Sequence, residues 1–409
     1  MSDRYSNKTK SRTRVTRRRL LGSGAAAGVA IASNGFGVFS PALAQARAIR
    51  VGVLAPLSGV YASLGTNKNN GIKMFFAEKG MKVEGKSIEL IIEDDEAKPQ
   101  EGMRKARKLV EQDDVDVLLG VISSAIGYAL KEYVGRVKKV WVTTGAAADG
   151  IFKKANNNPY AFRSSLSVWQ ANNPMGSWLS EKGYKRVFVT GADYAMGREA
   201  IEAFGRDFVL KGGTRVGEVF APLGTSDFAP YLAEIKRANP DLVYSSHAGS
   251  DAVRFVQQFG AFGLNNSIKL AGFGYLAEED TFDAQGAAVL GVYTGLNWAY
   301  GIDTPSNKAF VANYRKLYNS SPTVDSVAGY VGAQVVWEAL RSLGGNVPDQ
   351  DALGKAILTT KIDTPRGPVS FDPDTRNVIQ NIYIREAVKD GAETHNRVLA
   401  TYPSVRDPG

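Results

Sequence analysis

Residues 115–148 read VDVLLGVISSAIGYALKEYVGRVKKVWVTTGAAA, and this stretch decides the fold. Residues 115–119 are a short apolar run of the kind that forms a strand buried on both faces. Gly120 ends it, and Ser123 and Ser124 place hydroxyls where a helix should start. Ile126, Ala129, Leu130, Tyr133, Val134 and Val137 then recur at three- and four-residue spacing, the pattern of an amphipathic helix. Residues 140–142 are the next strand, followed by a turn of small residues, 143–148. In a parallel sheet both turns fall at the carboxyl ends of neighbouring strands, the edge where open α/β sheets bind ligands. Free N–H groups and the helix dipole suit that edge to an anion. Small residues also serve simply to make tight strand-to-helix turns.

The same alternation extends outward. Residues 50–57 read as a strand with a turn at Ser58-Gly59, then a polar loop over 61–70 and a helix through Ile72, Met74, Phe75 and Phe76. Residues 86–92 are a second strand, leading through the acids Glu93 to Glu96 and Pro99 into a helix over 101–112. Consecutive acids on an extended chain point to alternate faces, so these read as caps and loop residues and not as a cation site. A second unit starts near Val168. Its strands are 184–190, 216–221, 241–246 and 268–273, and its helices 198–210, 228–238 and 251–259, with small-residue turns between them. Helices over 307–318, 328–343 and 351–358 follow, then strands over 366–371 and 378–387. The expected fold class is α/β: two Rossmann-like lobes, each a doubly wound parallel sheet flanked by helices, with a ligand cleft between them.

The net charge of +9 sits mostly in the first 46 residues, which hold eight Lys/Arg and one Asp. The rest is nearly balanced, so charge gives no case for a nucleic-acid partner. Basic residues 4–19, a short apolar run over 20–32 and the small-x-small signal Ala44-Gln-Ala46 follow the plan of a secretory signal, cleaved after Ala44 or Ala46. Arg17-Arg18-Arg19-Leu20-Leu21 marks it as a twin-arginine signal, read by the twin-arginine export machinery. Gly22, Gly24 and Gly28 resemble a dinucleotide turn, but no strand precedes them.

The chain has no cysteine, and His247 and His395 are its two histidines. Disulfides, thiolate sites and a His-rich metal centre are excluded. No Gly-x-Ser-x-Gly elbow or phosphate-binding Gly-Lys-Ser/Thr loop occurs. The expectation is a binding protein with no catalytic residues, no metal and no cofactor. His247 follows a strand and is placed to line the cleft; His395 falls in a polar tail.

Several of these segments together resemble the leucine/isoleucine/valine-binding proteins of ABC importers. The resemblance rests on Ile49-Arg-Val-Gly-Val-Leu-Ala-Pro-Leu-Ser-Gly59 with Gly65 and Gly71, on residues 90–94 with Pro99, on Gly120 with Ser123-Ser124, on residues 191–197 around Tyr194, and on Arg366-Gly-Pro-Val-Ser-Phe-Asp372. It covers nearly the whole chain after the signal. It implies three crossings between lobes, near residues 163–168, 296–299 and 367–371, and closure over the ligand. Lobe 1 is then 47–165 plus 297–368, lobe 2 is 166–296 plus 369–400, and 401–409 is a tail. The resemblance further implies that a ligand carboxylate rests on Ser124 and the backbone of Gly145 and Ala147, with Tyr194 lining the second lobe; Ser123 and Ala146, in the same two turns, complete the expected anion site. Two departures bear on specificity. Ala147 stands where amino-acid binders place a threonine, and Gly274 where they carry a glutamate that pairs with the ligand ammonium. A buried ammonium without that acid is costly. Asp251 is nearby but reads as a first-turn helix acid. Tyr61, Tyr194, His247, Phe273 and Tyr275 give an aromatic-lined cleft suited to an organic or aromatic acid. The expected protein is a periplasmic monomer that delivers a small carboxylate to a membrane permease. The alternatives are a sensory module on the same fold and a binder of branched-chain amino acids.

Overall fold

The computed structural model describes residues 47–347 and 349–409; the expected export signal, residues 1–46, lies outside them. The first part of the chain runs β1 (Ile49–Ala55), α1 (Ala62–Glu78), β2 (Lys82–Val83), β3 (Lys86–Asp94), α2 (Pro99–Arg107), β4 (Val117–Gly120), α3 (Ser124–Val137), β5 (Trp141–Thr143) and β6 (Ala161–Arg163). Its sheet has the order β2-β3-β1-β4-β5-β6. All neighbours are parallel except the short arm β2, which pairs antiparallel with β3. Val53, Leu119 and Val142 lie side by side in register and are fully buried, as their unbroken apolar runs require.

The second lobe runs α4 (Val168–Glu181), β7 (Arg186–Ala192), α5 (Ala195–Leu210), β8 (Thr214–Ala221), α6 (Ala229–Ala238), β9 (Leu242–Ser245), α7 (Gly249–Ala261), β10 (Lys269–Phe273), α8 (Phe282–Gln285) and β11 (Tyr293–Leu296). Here β8, β7, β9, β10 and β11 are parallel. The chain then returns to the first sheet with α9 (Pro305–Tyr318), α10 (Val324–Ser342) and α11 (Gln350–Thr359). It ends in four antiparallel strands, β12 (Ile362–Thr364), β13 (Gly367–Phe371), β14 (Val378–Asp390) and β15 (Glu393–Val405).

Three expectations change. The polar stretch 61–70 is no loop: α1 starts at Ala62. Its polar side chains face other helices. Lys68 pairs with Asp325 of α10 at 3.0 Å with both side chains fully buried, and the Tyr314 hydroxyl of α9 donates to Asn67 at 2.9 Å. Second, the expected tail begins in strand. Thr401 and Tyr402 pair with Tyr383 and Ile382, and His395 faces Val388 across the β14–β15 ladder. Pro403 is tolerated because β15 is an edge. Third, the last crossing lies inside β14 and not at 367–371. Phe371 of β13 packs edge-on against Phe162 of β6 at 6.1 Å, and Asn377 bridges to Arg163, so residues up to about 378 belong with the first lobe. Only at Tyr383–Glu386 does β14 join β11 in the second. Its 13 residues, at about 3.4 Å each, are long enough to serve both lobes. The other crossings run through residues 164–167 and 297–304.

The packing of α1 on α10 depends on two glycines. A Cβ on Gly71 would enter the carbonyl of Ser326, and one on Gly329 would enter the carbonyl of Lys68. Backbone cannot yield as a flexible side chain does. Gly71→Ala is therefore expected to destabilise the protein by about 2–3 kcal/mol. Gly205→Ala, in the middle of α5 with no atom within 4 Å of the added Cβ, is expected to be neutral or stabilising by up to ~1 kcal/mol. Urea unfolding of the two variants against the parent checks the contrast.

Candidate functional site

The turn after β5 and the start of α3 are bound to each other. The Ala148 N–H donates to Ser124 Oγ at 3.1 Å. The Gly145 and Ala146 N–H groups lean on Thr143 Oγ1 at 3.4 and 3.1 Å. Ala147 accepts from Val168 N–H at 2.9 Å, which ties the turn to the first crossing. Ser123 is the residue before α3 and its side chain makes no cap hydrogen bond. Ser124 Oγ is used as an acceptor, which leaves its own O–H to donate. Two of the turn amides expected to hold an anion are thus already shared with a threonine hydroxyl.

Opposite this turn the lobes meet. Tyr61 Oη of the first lobe lies 2.7 Å from Tyr194 Oη of the second. Phe273 and Tyr275 are packed edge-to-face at 5.1 Å, and Gly274 starts a tight turn whose carbonyl accepts from Arg385 at 3.0 Å. Tyr61, Ala146, Ala147, Met196, Ala248 and Tyr275 belong to one buried apolar cluster drawn from both lobes. Burial raises the Tyr61, Tyr194 and Tyr275 phenols above their ordinary range, so all three are neutral at pH 7. The Tyr275 hydroxyl is buried without a partner.

Further contacts across the cleft come from residues that the sequence reading passed over. Asp280 accepts from Ser63 at 2.6 Å and Asn67 at 2.8 Å. Glu278 accepts from Val324 N–H at the start of α10 at 2.9 Å while holding Arg385 at 2.8 Å. On the other rim Glu199 accepts from Tyr128 at 3.0 Å and from the Asp149 N–H. In each case the second lobe brings the carboxylate and the first lobe a neutral donor. The run Glu278-Glu279-Asp280, three residues on from Tyr275, was the available signal. The acids of 93–96 serve the loop: Asp94 accepts from Leu57 N–H and Ser58 Oγ, both at 2.8 Å. Among the described residues no group of three or more His, Cys, Asp or Glu is placed to hold a metal ion.

His247 does not join the tyrosines. Its ring lies between Phe228 at 5.0 Å and Phe255 at 4.9 Å, in the second lobe's own core. Asp251 is in the first turn of α7, as expected, and is occupied by Gly224 N–H at 2.8 Å and Arg254 at 2.5 Å.

Two α/β lobes that meet at Tyr61 and Tyr194 have the plan of a solute-binding protein. The family model described as "Periplasmic binding protein" matches residues 48–392, and the chain belongs to that family. Leu/Ile/Val-binding protein homolog 6 of Brucella melitensis is 32% identical over 387 residues, covering 93% of this chain and 98% of the relative. Among solved structures, a solute-binding protein of an ABC transporter from Rhodopseudomonas palustris BisB5, in complex with 3,4-dihydroxybenzoic acid, is 35% identical with a TM-score of 0.85, covering 88% of this chain and 99% of that one. A second, from R. palustris in complex with benzoate, is 29% identical with a TM-score of 0.83, covering 88% and 98%. The chain is a substrate-binding protein of an ABC transporter, a family of the periplasm and not a class of enzyme. Among the described residues no helix is long and apolar enough to cross a membrane.

Burial lowers the His247 imidazole to about 3. Both ring nitrogens lack partners. The unfolded chain therefore takes up this proton first, and stability is lost as pH falls from about 6.5 towards 3. Between pH 6.5 and 5 this group alone costs about 2 kcal/mol. His247→Phe is expected to flatten the acid side of the stability curve by about that amount, read by urea unfolding at the two pH values.

Proposed function

We propose that this chain captures a small aromatic carboxylate in the periplasm by closing its two lobes and hands it to the permease of an ABC importer. The observation that carries this reading is the state of the carboxylates around the cleft. Asp251 is held by Arg254 and Gly224 N–H, Asp325 by Lys68, and Glu278 by Arg385 and Val324 N–H. Gly274 brings no side chain. An α-ammonium entering this space finds these three acids already held, and Asp280 and Glu199 taken up by Ser63, Asn67, Tyr128 and the Asp149 N–H; burying it without a dedicated acid is costly. The tyrosines suit a planar ring instead. In this reading the ligand carboxylate takes the free O–H of Ser124 beside Ala147 and the turn amides. The similar structures that hold benzoate and 3,4-dihydroxybenzoic acid support it. We further propose that the chain leaves the cytoplasm by the twin-arginine route and works as a monomer.

The names of the curated relatives favour a second reading, a branched-chain amino acid. Thermal unfolding in the presence of benzoate, 4-hydroxybenzoate, 3,4-dihydroxybenzoate, leucine or valine separates the two. An aromatic acid is expected to raise the midpoint by several degrees at saturating concentration; stabilisation by leucine or valine alone would reverse the conclusion. Ser124→Ala is expected to weaken the bound acid about 10- to 100-fold, as loss of a hydrogen bond to a charged group implies. Calorimetric titration measures it.

A further inference from the structure

Among the described residues three arginines are fully buried, and two of them have acids beside them. Arg385 holds Glu278 at 2.8 Å. Arg163 donates to the Ala148 carbonyl at 2.5 Å, stacks on Phe152 and has Asp407, Asp149 and Glu199 around it. The third is Arg366, in the turn between β12 and β13, and only 1% of it is exposed. Its guanidinium donates to the Ser164 carbonyl through Nη2, while Nε and Nη1 have no partner. Among the described residues no carboxylate pairs with it; the titratable groups that act on its charge are the phenols of Tyr383 and Tyr275. The Tyr383 hydroxyl is already given to the Arg366 carbonyl at 3.0 Å, whereas that of Tyr275 has no partner.

A buried cation without an anion carries a desolvation cost that a single hydrogen bond to the Ser164 carbonyl offsets only in part. Its place is therefore informative. Ser164, which anchors Nη2, also donates its Oγ to the Thr143 carbonyl at 3.1 Å, at the root of the turn that carries Gly145, Ala146 and Ala147. Tyr275, whose phenol acts on the Arg366 charge, has its ring in the same cluster as Tyr61. Arg366 thus sits at the hinge between the small-residue turn and the aromatic wall of the cleft.

We propose that Arg366 is the specificity-determining residue for the ligand's negative charge: its free Nε–H and Nη1–H, with the Tyr275 hydroxyl beside them, receive a carboxylate oxygen. The inference deepens the aromatic-acid reading and rests on it. It explains how an anion is selected although two turn amides are engaged by Thr143. The guanidinium carries the charge, and Ser124 and the turn fix the orientation.

The test compares an acid with its uncharged amide. Titration of the purified protein with 4-hydroxybenzoate and 4-hydroxybenzamide is run on the parent, Arg366→Met and Arg366→Lys. Arg366→Met is expected to lose about 100-fold or more on the acid and less than about threefold on the amide, with Arg366→Lys recovering part of the loss. A brace that merely ties the hinge to Ser164 would weaken acid and amide by the same factor, and that result overturns the proposal. Should Arg366→Met not fold, a crystal structure of the parent with 4-hydroxybenzoate decides. A carboxylate oxygen within hydrogen-bond reach of Nε or Nη1 supports the proposal, and a carboxylate held elsewhere refutes it. If the parent binds leucine and neither aromatic compound, the aromatic reading fails by itself. Leucine against leucine amide on the same variants then still reads the role of Arg366.

Discussion

The buried pair between Lys68 and Asp325 is the contact on which most of the first lobe depends. It joins α1, near the start of the described chain, to α10, more than 250 residues later. Gly71 and Gly329 let the two backbones come close enough for the pair to form. The same ammonium reaches the back of Gly145, so the ion pair supports the turn of the candidate site from behind. Removing either partner would strand a charge in a dry interior, a loss of about 3–5 kcal/mol. The pair also has a consequence for ligands: Asp325, neutralised by Lys68, is not available to a bound ammonium. One interaction therefore shapes both the lobe and what it excludes.

Much of the architecture was legible because its strands are apolar on both faces and short. Residues 115–119 and 140–142 admit few readings other than central strands, and the amphipathic helix between them fixes a parallel pair. What misled was polarity at interfaces between helices. Asn67, Lys68 and Asn70 look like a loop because hydropathy treats them as solvated, yet each meets a polar group on α9 or α10. β15 escaped notice for the complementary reason: as an edge strand it has weak alternation and a proline.

The candidate site was legible to a similar degree and for similar reasons. Tyr61 and Tyr194, 133 residues apart, meet hydroxyl to hydroxyl, and Ser124 engages the turn after the next strand; the first follows from strand-end turns of the two sheets, the second from neighbouring turns of one sheet. His247 did not follow, because a residue after a strand has two directions to take, and the cage of Phe228 and Phe255 draws its ring into the lobe's own core. Arg366 was visible only as part of a sequence motif. That a guanidinium lies buried without an acid is a fact about three separate segments, 164, 275 and 366, and no local pattern encodes it.

The strand β14 begins beside Arg163 of the first sheet and joins β11 of the second over Tyr383–Glu386. A single extended ribbon common to both halves is stiff along its length and soft only in torsion. The lobe closure proposed above would then be a twist about this ribbon, with its ladder register kept, and not a slide. It also means that neither half owns a complete set of strands, so a break in the chain near Gln380 would leave two fragments with raw sheet edges and no independent fold.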